Sequence, residues 1–297
     1  MSARETPPAT QASLARPRPP SKVRSTVWLL VSAAIVLFAI WQVNADWSRF
    51  GNIFTEAPRY VALMGQGVIE NPFTMPWSEY WTKSLALMVE SLQMAWIGTL
   101  IGAVLSFPVS FLAASNTAPR VVVIITRQVL NIIRAVPEIV LALVFMIPVF
   151  GLGPLAGAMA LGVGSVGTLG KLSSEAIEGI DRGPLEALDA AGASKLQQLR
   201  WAVVPQVLPE IVAFWLYRFE INIRAGAILG IVGAGGIGSI LDQLFNAREW
   251  GRIGITLVVI IVVTVIVDQI SAKVRQRIIA GPGAPAAAKH LRERVAV

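Results

Sequence analysis

Between Ile139 and Gly170 the chain carries no Asp, Glu, Lys or Arg. Soluble domains average about 25% charged residues, so a stretch of this kind cannot face water. A helix of about 20 apolar residues, rising ~1.5 Å per residue, already crosses the hydrocarbon core of a bilayer. Pro148 and the run Gly151-Leu152-Gly153-Pro154 break the stretch in two. It therefore predicts two spans, near Ile132 to Val149 and Leu155 to Ile177. Ser25 to Ala45, Ser84 to Ala114, Pro209 to Gly230 and Ile253 to Ile270 supply four more, with Glu90 near one end of the second and Pro108 as an expected kink. With 55% hydrophobic and 14% charged residues, the expected fold class is an all-α integral membrane protein with six transmembrane helices.

The charges that remain are placed asymmetrically. Basic residues crowd the tail before Ser25, follow the second span as Arg120, Arg127 and Arg134, surround residues 182–200 and return after Ile270. That is the positive-inside pattern, and it predicts a multi-pass protein of the cytoplasmic (inner) membrane with both termini cytoplasmic. The net charge of +7 is thus a matter of membrane topology rather than nucleic-acid binding. There is no cysteine, and His290 is the only histidine, which excludes thiolate chemistry, histidine triads and Cys/His zinc sites. Val43-Asn44-Ala45 could be read as a cleavage site, but the long basic leader and long apolar core favour a retained first span. The expected organisation is a basic, Pro-rich cytoplasmic tail at 1–24 and a first span plus outer-face loop at 25–83. A core of five spans follows at 84–277, then a flexible tail at 278–297. The outer-face loop carries Trp47, Trp77, Tyr80 and Trp81, with a short interfacial helix from Ile53 to Ile69.

One long polar interruption lies inside the core, at 184–205. Gly183-Pro184 suits a helix start, and Gly192 suits the left-handed residue that ends it. Ser194 with Gln197 reads as a capping box for a second helix, closed by Pro205. The pattern predicts a compact cytoplasmic knob of two short helices.

The segment Glu186-Ala187-Leu188-Asp189-Ala190-Ala191-Gly192-Ala193-Ser194, continuing to Val204-Pro205, resembles the EAA loop of ABC-importer permeases. Leu188 stands where that signature has its second alanine, Ala202 where it has isoleucine and Val204 where it has leucine. The flanking stretches IRAVPEIVLAL and YRFEINIRAGAILGIVGAGGIGSIL are similar to the phosphonate and phosphite branch of these permeases, whose fold is that of methionine-importer permeases. The resemblance covers roughly Ser84 to Arg277. It implies a coupling helix docked on an ATPase subunit dimer, an extracytoplasmic substrate-binding protein and a second permease copy in a homodimer. It also implies ATP and Mg held by the ATPase partners, with no cofactor on this chain and no enzymatic activity of its own. In that frame Glu186 makes polar contacts to the ATPase, Ala187, Ala190 and Ala191 allow close docking, and Gly192 sets the bend.

Within the fifth span, Arg218, Glu220, Asn222 and Arg224 are candidates to line a pathway for an anion. Ionisable groups cost about 2.5 to 3.5 kcal/mol each at mid-bilayer and so face a cavity or a partner. Glu220 and Arg224 are spaced to pair on one helix face, leaving Arg218 alone. A structural ion pair is the other reading of these charges. Arg134-Ala135-Val136-Pro137-Glu138 is explained by helix capping alone. Gly233, Gly235, Gly236 and Gly238 spell the letters of a dinucleotide fingerprint, but they lie between spans, with no strand before them. They fit helix packing or a broken helix lining a pathway. The substrate implied is phosphonate or a related phosphorus oxyanion; another small solute such as an amino acid, or a stand-alone secondary carrier, are the alternatives.

Overall fold

The computed structural model describes residues 22–43, 45–70 and 73–280. The expected tails at 1–24 and 278–297 therefore lie outside it, except that 22–24 and 278–280 are helical. The described residues are mostly helical, with no strand among them, and fall into two compact units that divide between residues 57 and 58. The first unit holds α1 (Lys22–Gln42), which is exposed along its whole length, and a 3-10 turn at Trp47–Asn52. Its apolar surface is what a lipid-facing span presents. Helix α2 (Ile53–Ile69) has the bounds expected for the short helix of the first loop.

The second unit is built around one helix. The order runs α3 (Trp77–Ala113), α4 (Arg120–Ala135), α5 (Glu138–Phe150), α6 (Pro154–Glu178) and α7 (Gly183–Ala190). Then come α8 (Lys195–Ala234), α9 (Ile237–Asn246) and α10 (Trp250–Ala280). Among the described residues, helix α6 is the most buried span, and its seam with α3 is the most extensive helix contact. The seam is made by small residues. A Cβ on Gly98 would sit 2.7 Å from Leu161 Cβ, and one on Gly102 would sit 2.4 Å from Ser165 Cβ. Lipid tails are as apolar as leucine, so helices in a bilayer gain little by hiding apolar surface from it; close backbone approach at glycine supplies the attraction instead. Ala156, Gly157, Ala158, Ala160 and Gly162 are buried for the same reason.

Five helices are long and apolar enough to cross a membrane, and a sixth span results if α4 and α5 count as one, bent by 82°. This corrects the expected smooth third span from Ile132 to Val149. Val136 is extended (φ −89°, ψ 118°) ahead of Pro137, because a residue before proline is pushed out of the helical region. The fifth span is corrected too. Pro205 does not close a short helix; helix runs on from Lys195 through it, with a π-helical turn at Leu199–Val203 just before the proline. A wider turn accommodates the ring and the missing N–H where a regular α-helical turn would clash. The knob's second arm is therefore the first part of a membrane span. Finally, the loop expected around Asp242 is mostly helix, as α9, and α10 already begins at Trp250.

Candidate functional site

The polar segment forms the expected bend. Pro184 lies in the first turn of α7, and Asp181 Oδ1 accepts the Gly183 N–H at 3.0 Å. At the other end Gly192 has φ +76°, its N–H donates to Asp189 O at 3.0 Å, and the Ala193 N–H donates to Leu188 O at 2.9 Å. These two bonds close the helix and use carbonyls that would otherwise be left over. Nothing lies within 4 Å of a Cβ on Gly192, so the backbone angle, not crowding, demands glycine. The Ser194 N–H donates to Gln197 Oε1 at 2.7 Å, which starts α8 with a capping box. Glu186, Ala187, Asp189, Ala190, Ala191, Ser194 and Pro205 are exposed, while Leu188 and Ala193 are half-buried.

Two features of the knob were missing from the sequence analysis. Gln198 is buried, and its Nε2 donates to Asp189 Oδ1 at 2.8 Å and to Ala193 O at 3.1 Å. Asp189 is thus engaged in holding the two arms together. Leu196 is 77% exposed at the tip, an apolar contact offered to a partner. Behind the bend, Leu185, Leu199 and Ile180 pack on a buried cluster of Ile177, Val203, Val207 and Ile211. The turn after α3 is clamped to the end of α6: Glu178 Oε1 accepts the Ser115 N–H at 2.6 Å and Arg127 Nη2 at 2.5 Å. The knob is therefore mounted rigidly on three spans. Gln198→Ala is expected to loosen the bend by about 1 kcal/mol, because it removes the two hydrogen bonds that tie the arms together. Faster hydrogen exchange across 186–198, with the rest of α8 unchanged, is the corresponding measurement.

The charges of the fifth span pair differently from the expectation. Glu220 does not bond Arg224; its Oε1 accepts from Arg275 Nη1 at 3.1 Å, and Arg224 Nη2 donates to Asp268 Oδ2 at 2.8 Å. Both partners lie on α10, whose adjacency to α8 no local spacing rule reveals. Nor is Arg218 alone. It is 6% exposed, its Nη2 donates to Glu138 Oε1 at 2.6 Å, and its Nε donates to Ser165 Oγ at 2.9 Å. Asn222, fully buried, donates from Nδ2 to Thr99 Oγ1 at 2.9 Å and to Ser165 Oγ at 3.0 Å. Both hydroxyls spend their protons on backbone carbonyls, those of Ala95 and Leu161, so they can only accept from Asn222 and Arg218. Asn222 Oδ1 is left buried with no hydrogen-bond partner.

The glycines at 233, 235 and 236 all have positive φ and break α8 from α9. The break is packed against neighbours. Gly233 O accepts the Gly153 N–H at 2.9 Å, Glu90 Oε1 accepts the Gly236 N–H at 2.8 Å, and Ser91 Oγ accepts the Ile237 N–H at 2.8 Å. A Cβ on Gly238 would lie 1.9 Å from Ala227 O. The donors a dinucleotide's phosphates would need are thus occupied by α3 side chains.

Five apolar helices and a bent pair, a capped polar knob and buried ion pairs thus stand together among the described residues. Residues 106–279 match the family described as "Binding-protein-dependent transport system inner membrane component". The chain belongs to this family. The permease is 37% identical to the phosphite transport system permease protein of Stutzerimonas stutzeri, over 82% of this chain and 85% of the relative. It is 40% identical to the phosphate-import permease protein of Mycolicibacterium smegmatis, over 62% of this chain and 34% of that one. Its fold is similar to a chain of the methionine ABC transporter solved in an inward-facing conformation, with a TM-score of 0.62, 23% identity, and coverage of 69% of this chain and 99% of the other. As the membrane component of an ABC importer, the permease is a transport subunit and not an enzyme. It works with ATPase subunits, where ATP is hydrolysed, and with a substrate-binding protein.

Proposed function

We propose that this permease carries a phosphorus oxyanion, phosphonate or phosphite, across the inner membrane. The observation that carries this reading is the extended identity to a phosphite permease over most of both chains. The arginines among the spans agree with an anionic cargo. We further propose a homodimer with both termini cytoplasmic, ATP and Mg bound by the ATPase pair, and substrate delivered from the opposite side by an extracytoplasmic binding protein. The exposed surface of Glu186, Ala187, Ala190 and Ala191 docks on the ATPase, with Leu188 and Ala193 supporting it from behind and Asp189, Gly192 and Ser194 fixing the bend. Pro205 marks where the knob passes into the span. Closure of the ATPase pair then moves the knob, and with it α6 and α8, as rigid bodies. The break at Gly233, Gly235, Gly236 and Gly238 is the hinge at the far end of that lever. Arg218, Glu220, Asn222 and Arg224 lie along the route, with Arg224 the most accessible.

Reconstitution of the permease with its ATPase and binding protein tests the substrate. ATP-dependent uptake of phosphite or methylphosphonate, and none of methionine, is the expected result; the reverse order would sink the reading. Arg218→Ala and Arg224→Ala are each expected to cut uptake while the ATPase still co-purifies. Full uptake by both variants would leave these residues with a structural role alone.

A further inference from the structure

The bend between α4 and α5 gathers charged groups on one stretch of α6, and capping accounts for Glu138 but not for Arg134. Against α6, Arg134 meets Gly167, Glu138 meets Gly164, and Arg218 meets Ser165: a Cβ on Gly167 would lie 3.2 Å from Arg134 Cβ, and one on Gly164 would lie 3.0 Å from Glu138 Cγ. Counted along α6 at ~1.5 Å per residue, this level is roughly 15 to 20 Å from either end of the helix. It lies within the uncharged part of α6, which runs to Gly170 before Lys171, and so inside the span. Arg134 is exposed there, and its guanidinium has no hydrogen-bond or ion-pair partner among the described residues. Glu138 keeps 32% of its side chain exposed, whereas Arg218 beneath it keeps 7%. The backbone at Val136 and Pro137 is non-helical at the same depth. Irregular backbone and a free guanidinium inside a span persist only where protein or a water-filled cavity covers them.

Charge balance sets this cluster apart. Glu220 with Arg275 and Arg224 with Asp268 are neutral pairs on the opposite side of α8. Arg134, Arg218 and Glu138 together carry one positive charge in excess. We propose that these three residues form an oxyanion subsite within the span, in which the Glu138 carboxylate stands in for the substrate and is displaced by it. An incoming anion meets the free Arg134 first. It then takes over the Arg218 Nη2 that Glu138 now occupies, while Ser165 keeps the Arg218 Nε in place. Displaced, Glu138 moves toward its exposed side, and the π-helical turn at Leu141–Met146 that follows it is a backbone irregularity of the kind found at functional sites. Returning, the carboxylate competes the anion off, so the subsite releases what it binds. The inference rests on the cargo being a phosphorus oxyanion, and it assigns roles to Arg134 and Glu138 that the sequence reading left to topology and capping.

The test uses the permease assembled with its ATPase subunits in nanodiscs, and the same complex with binding protein in proteoliposomes. Binding of radiolabelled inorganic phosphate and of phosphite is measured on the first, ATP-driven uptake on the second. Arg134→Gln is expected to weaken binding and slow uptake, each by about tenfold. Glu138→Gln, which removes the internal competitor but keeps the shape, is expected to tighten binding by about tenfold while uptake slows because release is impaired. These opposed shifts in binding separate a subsite from a structural ion pair, whose loss would weaken binding in both variants or in neither. Unchanged binding and uptake in Arg134→Gln, or unchanged or weaker binding in Glu138→Gln, overturns the subsite and leaves the proposed cargo standing. If the wild type carries no phosphorus compound but carries another oxyanion with the same opposed responses, the cargo is wrong and the subsite stands.

Discussion

Gly192→Val is expected to abolish ATP-driven uptake in proteoliposomes while the variant still inserts and its ATPase subunits still hydrolyse ATP. Gly192 adopts φ +76° with open space around its Cα, so valine would fit by volume but not by backbone angle. Holding a non-glycine residue in the left-handed region costs on the order of 1 to 3 kcal/mol, and a β-branched one is a clear outlier there. The chain relieves that strain by giving up the two bonds that close α7, from the Gly192 and Ala193 N–H groups. The angle between α7 and the start of α8 is then no longer fixed, and a lever without a fixed elbow transmits no stroke. Gly192→Asn separates this account from a general sensitivity of the surface, since asparagine visits the left-handed region far more readily than valine. It is expected to keep most of the uptake. Normal transport by the valine variant would refute the assigned bend.

Gly102→Leu is expected to prevent accumulation of folded permease altogether, and Gly102→Ala to lower its thermal stability in detergent. A Cβ at this position stands 2.4 Å from Ser165 Cβ and 3.1 Å from Gly162 O, so even alanine forces α3 away from α6. Overpacking of this kind costs about 1 to 3 kcal/mol, and occasionally more. The damage also spreads beyond the seam, because Ser165 accepts from both Arg218 and Asn222. Gly65→Ala is the matched control. Its Cβ meets nothing within 4 Å, and within a helix the same exchange gains roughly 0.5 to 1 kcal/mol. Opposite shifts in melting temperature for the two alanine variants are predicted; equal shifts would mean that the seam tolerates separation.

The caps of the knob were legible because each of those signals is local, whereas the Gln198–Asp189 bond across nine residues was not. Proline in a first turn, a glycine closing a helix, and a serine answered by a glutamine three positions on are all settled by bonds between residues at most five apart. The number of spans was legible for a similar reason, since the length of an uncharged run is itself the quantity that a bilayer measures. Pro137 and Pro205 show where this ends. Both are prolines beside apolar helix, yet the chain bends by 82° at the first break and continues as helix through the second. Nothing local distinguishes them before a π-helical turn is seen to relieve one and not the other.

The sequence by itself determined which segments enter the membrane and how the polar handle is capped. Only the tertiary structure decided that Glu220 answers Arg275, that Arg224 answers Asp268, and that Arg218 and Glu138 meet beside Gly164 and Ser165. A charge takes whichever partner lies nearest in space. In a bilayer, nearness between helices is set by small side chains such as Gly98, Gly102 and Gly162; the Gly98-x-x-x-Gly102 spacing marks a packing face in the sequence but does not say which distant helix it meets.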